Sequence, residues 1–171
     1  RSMEGTTPLD RREAEPLFRL VDCDRAAVTA WIDGWHLWSR PTWIAVTTMF
    51  QKGTPVESRL LQIGVSLEAL GFALWTEEEP GGERTPTFIE LVERVTAAVP
   101  MEHVELTGKH DAGAWCRAFN EAFKGAKHAD KPLPESSEAQ EFADQGLNLI
   151  RTWLGIRLGV ELDLLKERLS R

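Results

Sequence analysis

Apolar side chains along most of this chain recur at the three- and four-residue spacing of an α-helix. The clearest series keeps six of them on one face, at Val56, Leu60, Ile63, Leu67, Leu70 and Leu74. The residues before it predict a helix start, with Thr54 as the cap, Pro55 as the first helical residue and Glu57 closing a capping box. This pattern predicts a helix packed against a core.

The same spacing predicts helices elsewhere, with proline and glycine marking their ends. Trp31, Trp35 and Trp38 form one helical stripe, and Pro41 is expected to interrupt it and begin a shorter helix. Residues 77–82 and 131–134 are expected to be surface connections, and Thr85-Pro86 is expected to open a helix. These signals predict six helical segments, beginning near residues 24, 41, 56, 85, 111 and 137.

The last of these segments is apolar on two sides. One stripe consists of Phe142, Leu149, Trp153, Ile156 and Val160, and the other of Leu147, Ile150, Leu154 and Leu165. A helix of this kind is central to a bundle or shared with a partner chain, and we expect a homodimer through it. Ser137 and Gln140 predict a capping box at its start. Two alternatives stay open near its end: Gly155 and Gly159 allow close approach by a neighbouring backbone, or the helix kinks or ends near Gly159.

No convincing strand alternation and no fixed repeat accompany these helices, so the sequence predicts an all-α, single-domain bundle of five or six helices. The chain has 171 residues, of which 42% are apolar and 27% charged, and this length is enough to bury a core without disulfide bonds or a structural metal ion. We expect residues 1–16 to be a flexible N-terminal segment and residues 17–171 to form the helical domain. Residues 1–5 resemble a cloning remnant before an initiator methionine, although an excised domain of a longer chain explains them equally well.

The charge and cysteine content exclude several classes of protein. A net charge of −7 argues against a protein that binds nucleic acid through its overall charge, although a local basic patch is compatible with this net charge. Cys23 and Cys116 lack metal or disulfide spacing and predict reduced, buried thiols in a cytoplasmic protein. The longest uncharged stretches, 41–51 and 69–76, are too short to span a membrane, so no membrane partner is expected.

The usual motifs of phosphate-binding loops, metalloproteases and serine hydrolases are absent. His36, His103 and His110 have no second histidine at ligand spacing. We interpret His36 as a packed or partly exposed side chain, and the other two as solvated loop residues. The sequence therefore predicts neither a metal site nor a cofactor.

One helix carries the main basic cluster of this acidic chain. Trp115, Phe119, Ala122 and Ala126 are expected to form its core face, while Arg117, Glu121, Lys124 and His128 lie about 200° away on the opposite face. The cluster consists of Arg117, Lys124, Lys127, His128 and Lys131. Two interpretations stay open, because cations in the last turn of a helix also complement its macrodipole without any further function.

Two segments resemble the HEPN domain of ApeA-type anti-phage, abortive-infection proteins. The first runs from Glu57-Ser58-Arg59 to Leu67-Glu68-Ala69-Leu70, and the second ends in Lys127-His128-Ala129-Asp130. The resemblance covers residues 17–171 and implies a helical, usually dimeric domain that cleaves or binds RNA. It implies a catalytic role for His128 as general acid or base, and Lys124 is the candidate for the cation beside it. The basic cluster supplies Lys124, Lys127, His128 and Arg117 as candidates for RNA or phosphate binding.

The chain departs from the family pattern at one position. Active members carry an arginine four to six residues before the histidine, whereas Lys124, Phe123 and Ala122 occupy those positions here. Lysine offers a point charge where arginine offers a bidentate fork. The leading hypothesis is that the chain is an RNA- or nucleotide-binding domain. This hypothesis covers the case in which the domain also cleaves RNA as a metal-independent endoribonuclease with an atypical motif. The alternatives are a non-catalytic dimerisation domain of a larger defence protein and a protein-interaction domain using the tryptophan-rich helix. Arg59 is interpreted as structural, pairing with a carboxylate across the bundle.

Overall fold

The chain forms a bundle of helices in a computed structural model that describes residues 16–51, 53–81, 84–100, 107–108 and 111–170. No strand occurs in those residues, so the all-α prediction is confirmed. A short 3-10 turn at Leu20–Asp22 precedes seven α-helices. These are α1 Arg25–Asp33, α2 Trp35–Phe50, α3 Val56–Glu78, α4 Phe88–Ala97, α5 Ala112–Lys127, α6 Ser136–Arg157 and α7 Leu162–Leu169.

The central element is α3, against which α2, α4, α5 and α6 all pack. Its predicted stripe is confirmed, because Leu60, Ile63, Leu67 and Leu70 are completely buried and Leu74 is 6% exposed. The predicted cap is wrong, since α3 begins at Val56 with Pro55 as its N-cap and no side chain bonded there. At its other end α3 continues to Glu78, into the segment expected to be a loop.

The first tryptophan-rich segment breaks at Gly34, whereas the sequence predicted a break at Pro41. Gly34 separates α1 from α2, and a Cβ atom there would lie 2.8 Å from Nε1 of Trp38. Pro41 lies inside α2, buried against α3, where the hydroxyl of Ser66 donates a 2.6 Å hydrogen bond to the Pro41 carbonyl. Tertiary packing therefore holds proline within a helix that local preference alone would interrupt.

The carboxyl-terminal segment follows the alternative in which the helix ends near Gly159. The first part, α6, ends at Arg157, Gly159 has φ +75°, and α7 follows. A Cβ at Gly155 would lie 2.8 Å from Cδ2 of Leu165, so this glycine admits a leucine of α7. Because this last segment divides in two, the described residues form seven α-helices where five or six were predicted.

Both apolar stripes of this segment are covered within the chain itself. Ile156 and Leu154 are half-buried, and the buried members are Phe142, Leu147, Leu149, Ile150, Trp153, Val160 and Leu165. The predicted capping box at Ser137 is also wrong, since α6 begins at Ser136 with Glu135 as its N-cap and no capping side chain. An uncovered face was the reason to expect a homodimer, and the described residues of α6 do not supply one.

Two ion pairs fix α3 and α6 side by side in the same direction. Arg59 near the start of α3 contacts Asp144 at 3.0 Å, and Glu77 near its end contacts Arg157 at 2.5 Å. The Arg157 guanidinium also lies 4.7 Å from the centre of the Trp38 ring. The prediction that Arg59 pairs with a carboxylate across the bundle is therefore confirmed.

A capping box does form in this chain, at the start of α4. Thr87 is the N-cap, two residues beyond the predicted start at Thr85. The backbone N–H of Thr87 donates to Glu90 at 2.7 Å, and Arg84 donates to the same carboxylate at 2.6 Å. The hydrogen bond from Arg84, followed by those from Thr87, lowers the pKa of Glu90 to about 2.

We expect this carboxylate to make folding sensitive to acid. Because the pKa of Glu90 is lower in the folded state, its contribution is present above its unfolded value of about 4.3 and is lost as the pH falls toward 2. The stability difference between the protein and Glu90→Gln should be constant above about pH 5 and shrink below it in urea melts. Glu93→Gln removes the same charge from the same helix without touching the cap. An equal pH dependence in both variants would contradict the assignment.

The remaining sequence predictions concern smaller features. Cys116 is buried, with a pKa raised to about 11 mainly by burial, whereas Cys23 is only half-buried. His36 is exposed. The predictions of a cloning remnant and of a flexible segment fall on residues 1–16, of which only residue 16 is described, and His103 and His110 also lie outside the described residues. Within the described part of the chain, no helix is long and apolar enough to cross a membrane.

Candidate basic site at the end of α5

The helix that carries the basic cluster is firmly anchored. Its N-cap is Asp111, whose carboxylate accepts a 2.7 Å hydrogen bond from the backbone N–H of Ala114. Trp115 and Phe119 are completely buried and Ala122 is 6% exposed, which confirms the predicted core face. The indole N–H of Trp115 also donates to Gln145 of α6 at 2.7 Å. The opposite face is therefore presented to solvent in a defined orientation.

The connection after α5 folds back over its last turn. A Cβ atom at Gly125 would overlap the carbonyl oxygen of Pro132 and would lie 3.1 Å from Cδ of Pro134. Only glycine at this position leaves room for the connection to pass so close. The N–H of Lys131 donates to the carbonyl of His128 at 3.0 Å, which closes a turn there. Lys131 is thereby brought back toward the polar face of α5.

A glutamate lies among these cations. The ammonium of Lys124 contacts the carboxylate of Glu121 at 2.9 Å, and Asn120 donates to the same oxygen at 3.1 Å. The pKa of Glu121 is lowered, chiefly by the hydrogen bond from Lys124 and its charge and further by the charge of Lys131. Glu121 was placed on this face from the sequence, but its pairing with Lys124 was missed. Their three-residue separation on a helix is the signal that indicates it.

The other predicted site residues are placed differently from one another. Lys127 is exposed, with its ammonium 5.3 Å from the centre of the Phe123 ring. His128 is exposed as the C-cap, and its backbone N–H donates to the carbonyl of Lys124 at 2.9 Å. Arg117 is exposed on the same helix, seven residues before Lys124 and thus about 10 Å along the axis. The structure therefore groups Lys124, Lys127 and His128 at one helix end and leaves Arg117 apart.

We call the half-buried Lys124 and the exposed Lys127, His128 and Lys131 the basic turn. Its three lysines face two nearby carboxylates, Glu121 and Asp130, so the local surplus of positive charge is small. The negative end of the α5 dipole lies at the same place and also opposes an anion. This arrangement is able to hold a phosphate by lysine contacts, and it presents one imidazole that is accessible to solvent. It does not provide a pair of positioned catalytic groups.

A surface cleft on the α4 side is an unsuitable place for a phosphate. Its volume is about 430 Å³, and it is lined by Glu78, Glu90, Glu93, Arg94, Ala97 and Ala98. Arg94 pairs there with Glu78 and Glu79, so its charge is already neutralised. The carboxylates would repel an anion. Among the described residues, no group of three or more histidine, cysteine or acidic side chains is placed to hold a metal ion.

A second exposed surface of a different kind lies on α2. Trp43 is 62% exposed, Phe50 is 73% exposed and Trp35 is 46% exposed. The helical spacing of the tryptophans grouped Trp35 with Trp31 and Trp38, whereas Trp43 and Phe50 were not predicted to form a surface. Their spacing along α2 is the signal that places them on one outward face.

Comparison with protein-family models, with curated proteins and with solved structures finds no match to this chain.

Proposed function

We propose that this helical bundle is a HEPN-like domain of a cytoplasmic defence protein and that it binds RNA or a nucleotide at the basic turn. The observation that carries the proposal is the convergence of Lys124, Lys127 and Lys131 on one solvent-facing helix end of a chain with net charge −7. The folded-back connection supports it further, because Gly125 and Pro132 bring Lys131 to this place from outside the helix.

The expected binding is weak and salt-dependent. Each lysine is able to contact one phosphate as a point charge. Three such contacts on a single strand give a slope of about −2 in a plot of log affinity against log salt concentration. Glu121 competes with the phosphate for Lys124, since the two side chains already contact each other at 2.9 Å. Phosphate binding therefore requires this ion pair to open or to share the lysine.

Binding is better supported than cleavage. Cleavage of RNA without a metal needs a base for the ribose 2′-OH, an acid for the leaving oxygen and a cation for the crowded phosphate. In the described basic turn one histidine is present, and the lysine four residues before it, Lys124, is held by Glu121. We therefore propose binding as the function of this domain, and a cleavage assay in EDTA decides whether His128 adds chemistry to it.

The test is binding of a fluorescein-labelled single-stranded RNA, followed by anisotropy. Lys124→Glu is expected to weaken affinity about tenfold or more and to flatten the salt dependence, because one charged contact becomes a repulsion. His128→Ala is expected to leave affinity nearly unchanged and to abolish any cleavage in EDTA. Lys124→Glu with unchanged affinity would contradict the proposal.

Lys166→Glu is a matched control. Lys166 also lies in the last turn of its helix and also contacts a carboxylate three residues earlier, Asp163, at 3.7 Å. Its contribution to the macrodipole is therefore comparable, and its neighbours contain no second lysine from a folded-back connection. An equal loss of RNA binding in both variants would mean that overall charge governs binding, whereas unchanged affinity in Lys124→Glu would return the basic turn to the macrodipole explanation.

The second candidate function is a non-catalytic protein-interaction or dimerisation domain. The exposure of Trp43 and Phe50 on α2 favours it. A homodimer through the carboxyl-terminal helices is not favoured by any uncovered face on α6, and it stays a prediction that light scattering at micromolar concentration tests. A dimer mass that persists in Lys124→Glu would separate assembly from RNA binding.

A further inference from the structure

The outward face of α2 is aromatic and free of acidic residues. Trp43 and Phe50 lie on one stripe of the helix with Arg40 and His36 beside it, and Trp35 lies at the edge of that stripe, about 80° around the helix from Trp43. No aspartate or glutamate occurs between Gly34 and Val56, although the chain contains 27 acidic residues among 171. We call this surface the α2 face.

Arg40 gives the α2 face a positive charge. It is exposed, and like Arg117 it makes no ion pair with any other described residue, whereas Arg59, Arg94 and Arg157 each pair with a carboxylate. Arg40 lies one helical turn before Trp43. Tryptophan and arginine are enriched among the hot-spot residues, which contribute most of the binding free energy of an interface. The α2 face therefore has the composition of a binding surface and one cation without a carboxylate partner.

We propose that the α2 face docks an acidic amphipathic helix of a partner protein. Trp43 and Phe50 are seven residues apart, about 10 Å along the axis, which matches the i and i+7 positions of a second helix laid along α2. Carboxylates flanking the apolar positions of that partner would complement Arg40. The exposed parts of Trp35, Trp43 and Phe50 amount to about 400 Å², at roughly 150–250 Å² per aromatic side chain. That is about half of the roughly 800 Å² that each partner contributes to a standard interface.

Charge complementarity favours an acidic helix over a second copy of the chain or a nucleic acid strand as the partner of the α2 face. A second copy docked face to face would bring another acid-free surface and a second Arg40, leaving both arginines without a carboxylate. A nucleic acid strand needs several cations along its path, and Arg40 is the one arginine on the exposed side of α2. An acidic amphipathic helix would cover the aromatic side chains with its apolar face and would place its carboxylates near Arg40.

The test is selection from a display library of designed helices with randomised outward positions, followed by anisotropy with a labelled selected peptide. Selected helices are expected to carry apolar residues at i, i+4 and i+7, flanked by Asp or Glu. Trp43→Ala and Phe50→Ala should each weaken binding at least tenfold. Arg40→Ala should weaken it about threefold to tenfold and flatten its salt dependence. Phe72→Ala, an aromatic that is 45% exposed on α3, is the matched control and should change affinity less than twofold.

Several outcomes would overturn the proposal. These are the absence of selected binders, binders that are basic or uncharged, and binders insensitive to Trp43→Ala. A dimer in light scattering that Trp43→Ala dissolves would assign the face to a second copy. Competition between the peptide and single-stranded RNA that Lys124→Glu does not affect would assign it to nucleic acid. Because Trp43 and Phe50 are mostly exposed, their alanine variants should keep the circular dichroism melting curve of the protein, so lost binding is not lost folding.

Discussion

Leu67→Ala is expected to destabilise the protein by about 2–5 kcal/mol, through lost transfer free energy and the cavity left in the core. Leu67 is completely buried in the middle of α3, and its Cδ1 atom would lie 3.4 Å from a Cβ placed at Gly146 of α6. The cavity would open between α3 and α6 while α3 is also packed against α2, α4 and α5, so little collapse is available to fill it. Urea denaturation, read by circular dichroism, measures the change in the free energy of unfolding.

Leu133→Ala is the control for this measurement. Leu133 is 63% exposed in the connection between α5 and α6, and its truncation should change stability by less than about 0.5 kcal/mol. A loss below about 1 kcal/mol in Leu67→Ala would mean that the α3 stripe does not face the core. A changed slope in the urea melt would mean that the variant alters the unfolded state or the two-state behaviour.

The faces of the long helices could be predicted from the sequence because they depend on spacing alone. The apolar stripes of α3 and α5 are buried as predicted, and the helical period alone is enough to identify both of them in the sequence. The basic face was predicted only in part, since Lys124 is half-buried and His128 is exposed as the C-cap beyond the end of α5. Periodicity therefore determined which residues point outward, and hence which candidates for the site are accessible.

The ends of the helices could not be predicted as well, because they depend on contacts with other elements. Capping boxes were predicted at Thr54 and Ser137, and neither forms, whereas one does form at Thr87. Its glutamate, Glu90, is held additionally by Arg84 at 2.6 Å. At Pro41 the contact from Ser66 of α3 outweighs the local tendency to break. Such partners lie far away in sequence or are invisible to a local pattern.

The composition of the candidate site depended on the path of a loop. The sequence indicates a basic cluster, but it does not reveal that Glu121 holds Lys124 or that Lys131 returns to the same carboxylate. The return depends on Gly125, which leaves room for the backbone at Pro132. The ion pair between Glu121 and Lys124 reduces the net positive charge of the basic turn, and Lys131 restores part of that charge. The weak, salt-dependent binding expected here follows from that balance.

Gly71→Ala is expected to destabilise the protein by about 1–3 kcal/mol or more, although alanine favours helices over glycine by about 1 kcal/mol. Gly71 is buried in α3 where α4 crosses it. A Cβ atom there would overlap the carbonyl oxygen of Leu91 and would lie 2.6 Å from the carbonyl carbon of Leu91. Those atoms belong to the α4 backbone, so relief requires the two helices to move apart and the packing around Leu91 to loosen.

Gly113→Ala isolates the helical preference of alanine from this clash. Gly113 lies in the first turn of α5, and the nearest atoms to a Cβ there are 3.5 Å away, on Arg117 and Asp111. We expect Gly113→Ala to be neutral or slightly stabilising in the same urea melts, because an alanine at an uncrowded helical position restricts the unfolded chain. A Gly71→Ala protein as stable as the Gly113→Ala protein would show that α3 and α4 do not approach as closely as the fold requires. A large loss confined to Gly71→Ala would establish that this glycine is what allows α4 to pack against the central helix.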